Sequence, residues 1–70
     1  MATIAQIMSK PDEVLRDTQT NRDIAVSWGH KTAVVHEKQD SDYLIITKIY
    51  SSTLRDIVNR RRRSGRWTRY

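Results

Sequence analysis

The stretch from Ile24 to Tyr50 sets the tightest limit on the fold, because its apolar residues return at every second position and not at every third or fourth. In "IAVSW", Ile24, Val26 and Trp28 alternate with Ala25 and Ser27, the pattern of a half-buried strand. "KTAVVHEK" and "YLIITKIY" continue it with β-branched and aromatic residues, and "YLIITKIY" is the strongest strand former, predicted to be the central or longest strand. Gly29-His30 reads as a two-residue type II′ hairpin loop, and "EKQDSD" as a second, longer turn. Three strands in an antiparallel meander follow.

Register then sorts the side chains. A hairpin turning on Gly29-His30 sets Trp28 opposite Lys31 and Val26 opposite Ala33, so Ile24, Val26, Trp28, Ala33 and Val35 share a core face. A plain second hairpin adds Tyr43, Ile45, Thr47 and Ile49 to that face, with Ile45 buried. Thr32, Val34, His36, Leu44, Ile46, Lys48 and Tyr50 fall on the other face, which is apolar enough to need a cover: a helix, a second subunit or a ligand.

The flanks read as helical. Ile4, Ile7 and Met8 form an i, i+3, i+4 stripe with Thr3 as N-cap and Lys10-Pro11 as terminator. "PDEVLRDT" suits one or two further helical turns with Val14 and Leu15 inward, and "TQTNRD" a polar loop. After Tyr50, Thr53 and Asp56 have the spacing of a capping box, and Leu54, Ile57 and Val58 form an inward stripe. Arg61 breaks that stripe, so the helix is expected to leave the core there and project its arginines, with Gly65 as the left-handed cap. The fold class is therefore α+β: a short N-terminal helix, a three-stranded antiparallel meander and a C-terminal basic helix. One domain spans 1–70, with an ordered core at about 4–58 and a basic helix or tail at 59–70.

Seventy residues bury a thin core, and with no cysteine no disulfide or thiolate zinc site supplements it. Two histidines are too few for a structural metal, so no metal or cofactor is expected. The start "MATIAQIMSK" lacks the layout of a signal peptide, and no run of 18 apolar residues occurs, so the expectation is a cytoplasmic chain with no membrane partner.

The net charge of +5 is concentrated at one end. From residue 55 onward Arg55, Arg60, Arg61, Arg62, Arg63, Arg66 and Arg69 face Asp56 alone, whereas residues 1–54 carry six Lys/Arg and seven Asp/Glu. A neutral body with one cationic end is drawn to polyanions. Trp67 and Tyr70 interleave with Arg66 and Arg69, and aromatics beside arginines stack on unpaired bases while the guanidinium groups take phosphates. The alternative for Trp67 is to close the core, and for the arginine run to be a solvated helix end.

Enzyme signatures are sparse: with Gly29 and Gly65 the sole glycines, there is neither a phosphate loop nor a G-x-S-x-G elbow. A metal-independent ribonuclease needs a base, an acid and a cation, roles open to His36, Tyr50 and Arg55. The competing reading is a half-buried strand histidine and a packed tyrosine.

The order of "SKPDEVLRD", "KTAVVHEKQDSDYLIITKIY" and a basic end resembles a small uncharacterised domain family related to RelE/ParE-type toxins. Pro11, Asp12, Glu13 and Val14 match that family's turn, and Ile45, Ile46, Thr47 and Tyr50 its last strand, over about residues 4–52. The resemblance implies a compact toxin-like sheet that handles RNA or binds a protein. It does not carry catalysis across, because such domains begin with a further strand and helix bearing His and Arg.

The expected function is a non-enzymatic nucleic-acid-binding protein, for RNA above DNA, with Arg55, Arg60, Arg61, Arg62, Arg63, Arg66, Trp67, Arg69 and Tyr70 at the interface. The alternatives are an inhibitor or adaptor docking its basic helix on an acidic protein surface, and a RelE-like ribonuclease using His36, Tyr50 and Arg55. With the strand at 24–28 on an edge, a homodimer is a further expectation.

Overall fold

A computed structural model of the chain describes residues 3–69. Among them are two helices, α1 (Ile4–Ser9) and α2 (Leu54–Arg63), and five strands, β1 (Glu13–Asp17), β2 (Arg22–Ser27), β3 (Thr32–Gln39), β4 (Asp42–Tyr50) and β5 (Trp67–Arg69). The strands form one antiparallel sheet in the order β4-β3-β2-β1-β5. The three-stranded meander with a basic terminal helix is thus corrected to a five-stranded sheet in which α2 carries the chain from the β4 edge to the β5 edge.

Both additional strands come from segments that read as something else. "EVLRD" lies between β2 and β5 and pairs with each, Leu15 opposite Ile24 on one side and Arg69 on the other. Five residues are too few to hold a helix by themselves, while an extended segment here satisfies its backbone on both sides. Its alternation places Leu15 and Asp17 in the interior and Arg16 outside. The strand expected at an edge, β2, is therefore internal. β4 is the longest strand but an edge strand, not a central one.

The turns exchange roles. Ser27 pairs with Thr32, so the β2–β3 loop has four residues, closed by a hydrogen bond from Lys31 N–H to the Trp28 carbonyl at 3.1 Å. Lys31, at φ 52, and not Gly29 supplies the left-handed residue. The tight hairpin is Asp40-Ser41, between Gln39 and Asp42, with Asp40 at φ 52. The Val26–Ala33 pairing stands, since parity survives the change of loop.

Between β3 and β4 a bulge breaks parity: Val35 faces Thr47 but His36 faces Ile45, which leaves Ile46 without a partner of its own. Thr47 and Ile49 keep the expected face. Tyr43 and Ile45 turn to the His36 face, and Ile45 is an exposed residue at 37% of its accessible surface, not a core one.

Leu15, Ile24, Val26, Ala33, Leu54, Val58 and Trp67 pack between the sheet and α2, with Trp28, Val35 and Ile49 at the margin. The opposite face is covered in part by α1, through Ile7 on Ala25 and Val34 with Ile4 and Met8 beside it. A reciprocal capping box starts α1: Thr3 N–H donates to Gln6 Oε1 at 2.9 Å, and Gln6 N–H to Thr3 Oγ1 at 3.2 Å. α2 lacks the expected box, because Thr53 makes no side-chain cap bond and its hydroxyl lies 3.0 Å from Ser51 Oγ. No helix among the described residues is long and apolar enough to cross a membrane.

Candidate nucleic-acid interface

α2 is amphipathic up to Val58, then carries Arg60, Arg61, Arg62 and Arg63 in its last turn, where the helix dipole favours cations. It stops in a Schellman arrangement: Arg66 N–H donates to the Arg61 carbonyl at 3.0 Å and Gly65 N–H to the Arg62 carbonyl at 3.1 Å. Gly65 at φ 78 makes the reversal, and β5 returns along β1 under the helix end.

That return path distributes the arginines into three kinds. Arg62 and Arg69 both approach Glu13 Oε1, at 3.6 and 3.7 Å, and Arg66 Nε donates to Asp17 Oδ2 at 3.2 Å, so these three answer carboxylates of β1. Arg55 and Arg61 lie over aromatic rings, at 4.8 Å from the Trp28 centroid and 5.2 Å from the Trp67 centroid. Arg60 and Arg63 are exposed and form no ion pair with a described residue.

Asp17 organises this end of the molecule and has no counterpart in the sequence reading. It is buried, and it accepts hydrogen bonds from the N–H groups of Gln19 and Thr20, from Arg66 Nε and from Trp67 Nε1 at 3.3 Å. Burial pushes its carboxyl up, but the Gln19 N–H bond, the Arg66 guanidinium and the Thr20 N–H bond outweigh this and hold it below its ordinary value.

Trp67 is 3% exposed and belongs to the core, so it has no ring face for a base. Tyr70 lies outside the described residues. Arg61 covers Trp67 instead of projecting, and its Nε is buried without a hydrogen-bond partner among the described residues. Beside it, between α2 and β4, runs an open groove of about 440 Å³ lined by Ile49, Ile57, Arg60, Arg61 and Ser64. Ile49, Ile57 and Ser64 were not read from the sequence as binding residues; Ile49 was expected on the core face. Ile57 stood in the inward stripe, and its half-exposed state in the structure gives the groove an apolar floor.

The ribonuclease set is not assembled. His36 is 4% exposed on the α1 face, with Nδ1 donating to the Val34 carbonyl at 3.1 Å. Tyr50 lies opposite Thr32, four residues along β3 from His36 or roughly 13 Å. Arg55 sits on Trp28, on the α2 side of the sheet.

Comparison with protein-family models, with curated proteins and with solved structures found no match.

Proposed function

We propose that the chain is a non-enzymatic module that binds single-stranded RNA along the groove between α2 and β4. The observation that carries this reading is the pairing of unneutralised cations with an apolar floor: Arg60 and Arg63 have no carboxylate partner among the described residues, Arg61 lies over the Trp67 ring, and Arg60 and Arg61 line the groove together with Ile49 and Ile57, with Arg63 on the same helical turn. Guanidinium groups grip phosphate in bidentate fashion, and a guanidinium held in place by an aromatic ring loses little freedom on binding. Unpaired bases can lie on an aliphatic floor that the bases of a duplex cannot reach.

Arg62, Arg66 and Arg69 contribute less, because a phosphate must displace Glu13 or Asp17 to reach them. With roughly three phosphates held by Arg60, Arg61 and Arg63, the logarithm of the binding constant should fall with the logarithm of salt at a slope near −2 for a single strand. Replacing Arg60 and Arg63 together by alanine should weaken binding of an unstructured oligoribonucleotide by about tenfold or more at low salt, with the circular dichroism spectrum unchanged. Fluorescence anisotropy across a salt series measures both. A salt-independent affinity, or a double variant that binds as the parent does, would refute the reading. An acidic protein captured in place of RNA, and lost in the same variant, would support docking on an acidic protein surface instead.

A further inference from the structure

The α1 face holds a second site. Between α1 and strands β1 to β4 lies a cavity of about 260 Å³, lined by Met8, Pro11, Val14, Asp23, His36 and Tyr43. Asp23 and His36 are directly opposed in the β2–β3 register. Asp23 Oδ1 is buried and has no hydrogen-bond partner among the described residues, an arrangement that native structures rarely keep unless a bound group or an ordered water supplies the donor. His36 spends its Nδ1 proton on the Val34 carbonyl, so in the neutral ring Nε2 is a second acceptor. The Tyr43 ring stands edge-on to the imidazole, centroids 5.4 Å apart at 84°, and is half exposed at the cavity mouth.

The cavity thus offers acceptors to a ligand that brings donors, among aliphatic and aromatic side chains. Lys38 lines the same cavity, so a cationic ligand would meet a positive charge there. A neutral planar donor suits it better. The volume is below that of a site for a drug-sized ligand, which limits the occupant to about one ring system. Among nucleobases guanine alone presents two adjacent donors, N1–H and N2–H, which a carboxylate accepts in bidentate fashion. Adenine and cytosine set one amino group beside a ring nitrogen that repels the second carboxylate oxygen, and uracil sets one N–H between two carbonyls. Asp23 is among the residues that line the cavity.

We infer that the cavity between α1 and the sheet binds a guanine base, with Asp23 accepting from its Watson–Crick edge and Tyr43, Met8 and Val14 holding its faces. The site lies across the sheet from α2 and does not rest on the proposed role of the arginines. The base can be that of a free nucleoside or of an RNA strand, and the chemistry is the same.

The test is an NMR titration of the full chain with guanosine and with uridine, following the ring protons of His36 and Tyr43 and the indole N–H signals of Trp28 and Trp67. Guanosine should shift His36 and Tyr43 in a saturable way, leave both indoles in place, and bind about tenfold or more tightly than uridine. Asp23→Asn, which puts an amide N–H2 where an acceptor is needed, should lose about tenfold or more for guanosine while keeping the fold by circular dichroism. The Arg60→Ala/Arg63→Ala variant should bind guanosine as the parent does, which separates this site from the α2 groove. A tetraribonucleotide containing one guanosine that binds more tightly than the nucleoside identifies a strand as the source, and equal or weaker binding a free nucleoside. No saturable shift with guanosine up to millimolar concentration, equal shifts with uridine, or an Asp23→Asn variant that binds unchanged would each overturn the inference.

Discussion

The two faces of the sheet are fed by the same strands but finished differently. On the α2 face, seven buried side chains form one cluster, closed by a ten-residue helix and by Trp67 at the end of the chain. On the α1 face, the buried cluster has three side chains, Ile7 of a six-residue helix on Ala25 and Val34 of the sheet, and beside it lie the open cavity and exposed β4. Strand alternation supplies apolar residues to both faces, but a face becomes core only where a helix long enough to span the strands lies on it. The other is left partly open, under a small helix.

The sharpest way to break this contrast is to truncate one anchor on each side. Trp67→Ala should destabilise the chain by about 3 to 5 kcal/mol, comparable with the whole stability of a domain this size. It opens the core and also removes one donor from buried Asp17. Ile7→Ala should sit at the low end for a buried aliphatic residue, about 2 kcal/mol, because α1 is short enough to detach before the sheet opens. Urea denaturation measures both, and amide exchange should show α1 opening alone in Ile7→Ala. Equal losses with one cooperative transition in both variants would show that the faces are not independent.

Acid tests the same asymmetry through one group. The Asp17 carboxyl has a folded-state value below its unfolded one, so its contribution is complete above the ordinary carboxylate range near 4 and is lost as pH falls through that range and below. The loss strikes the α2 face alone, since Asp17 joins β1, Arg66 and Trp67. Asp17→Asn should be destabilised at pH 7, and its unfolding midpoint should fall less than the parent's between pH 6 and pH 3. A variant that keeps the parent's full pH dependence would place the acid-labile contact elsewhere.

What the sequence made legible follows the range of the interactions involved. Val26 opposite Ala33, the Ile4–Ile7–Met8 stripe, the Thr3 cap and the left-handed Gly65 all rest on neighbours a few residues apart, and each is found in the structure. β1 and β5 were not legible, because five-residue and three-residue segments become strands only through each other and through β2. The bulge at Ile46 was hidden by "YLIIT", which is apolar at both parities and fits either register. At the candidate interface, the arginines could be read one by one, but not their division into paired and unpaired. Asp17 meets Arg66 across 49 residues, and nothing local announces it.

The smallest expected effect lies where the sequence seemed to promise a large one. Ile45 belongs to the most strand-like segment of the chain, yet the bulge turns it away from the α2 core and its place on edge strand β4 leaves it 37% exposed beside Tyr43 and Leu44. Truncation there opens no closed cavity. Ile45→Ala should therefore cost about 1 kcal/mol or less, against the 2 to 5 kcal/mol of a buried aliphatic truncation. Ile45→Lys should be nearly as mild in stability and should lower any self-association through the β4 edge, since a charge on an exposed edge opposes strand pairing between copies. Urea denaturation and sedimentation of the two variants separate the effects. A loss above about 2 kcal/mol for Ile45→Ala would mean that the β4 edge is packed like the core, and the contrast between the two faces would have to be abandoned at that strand.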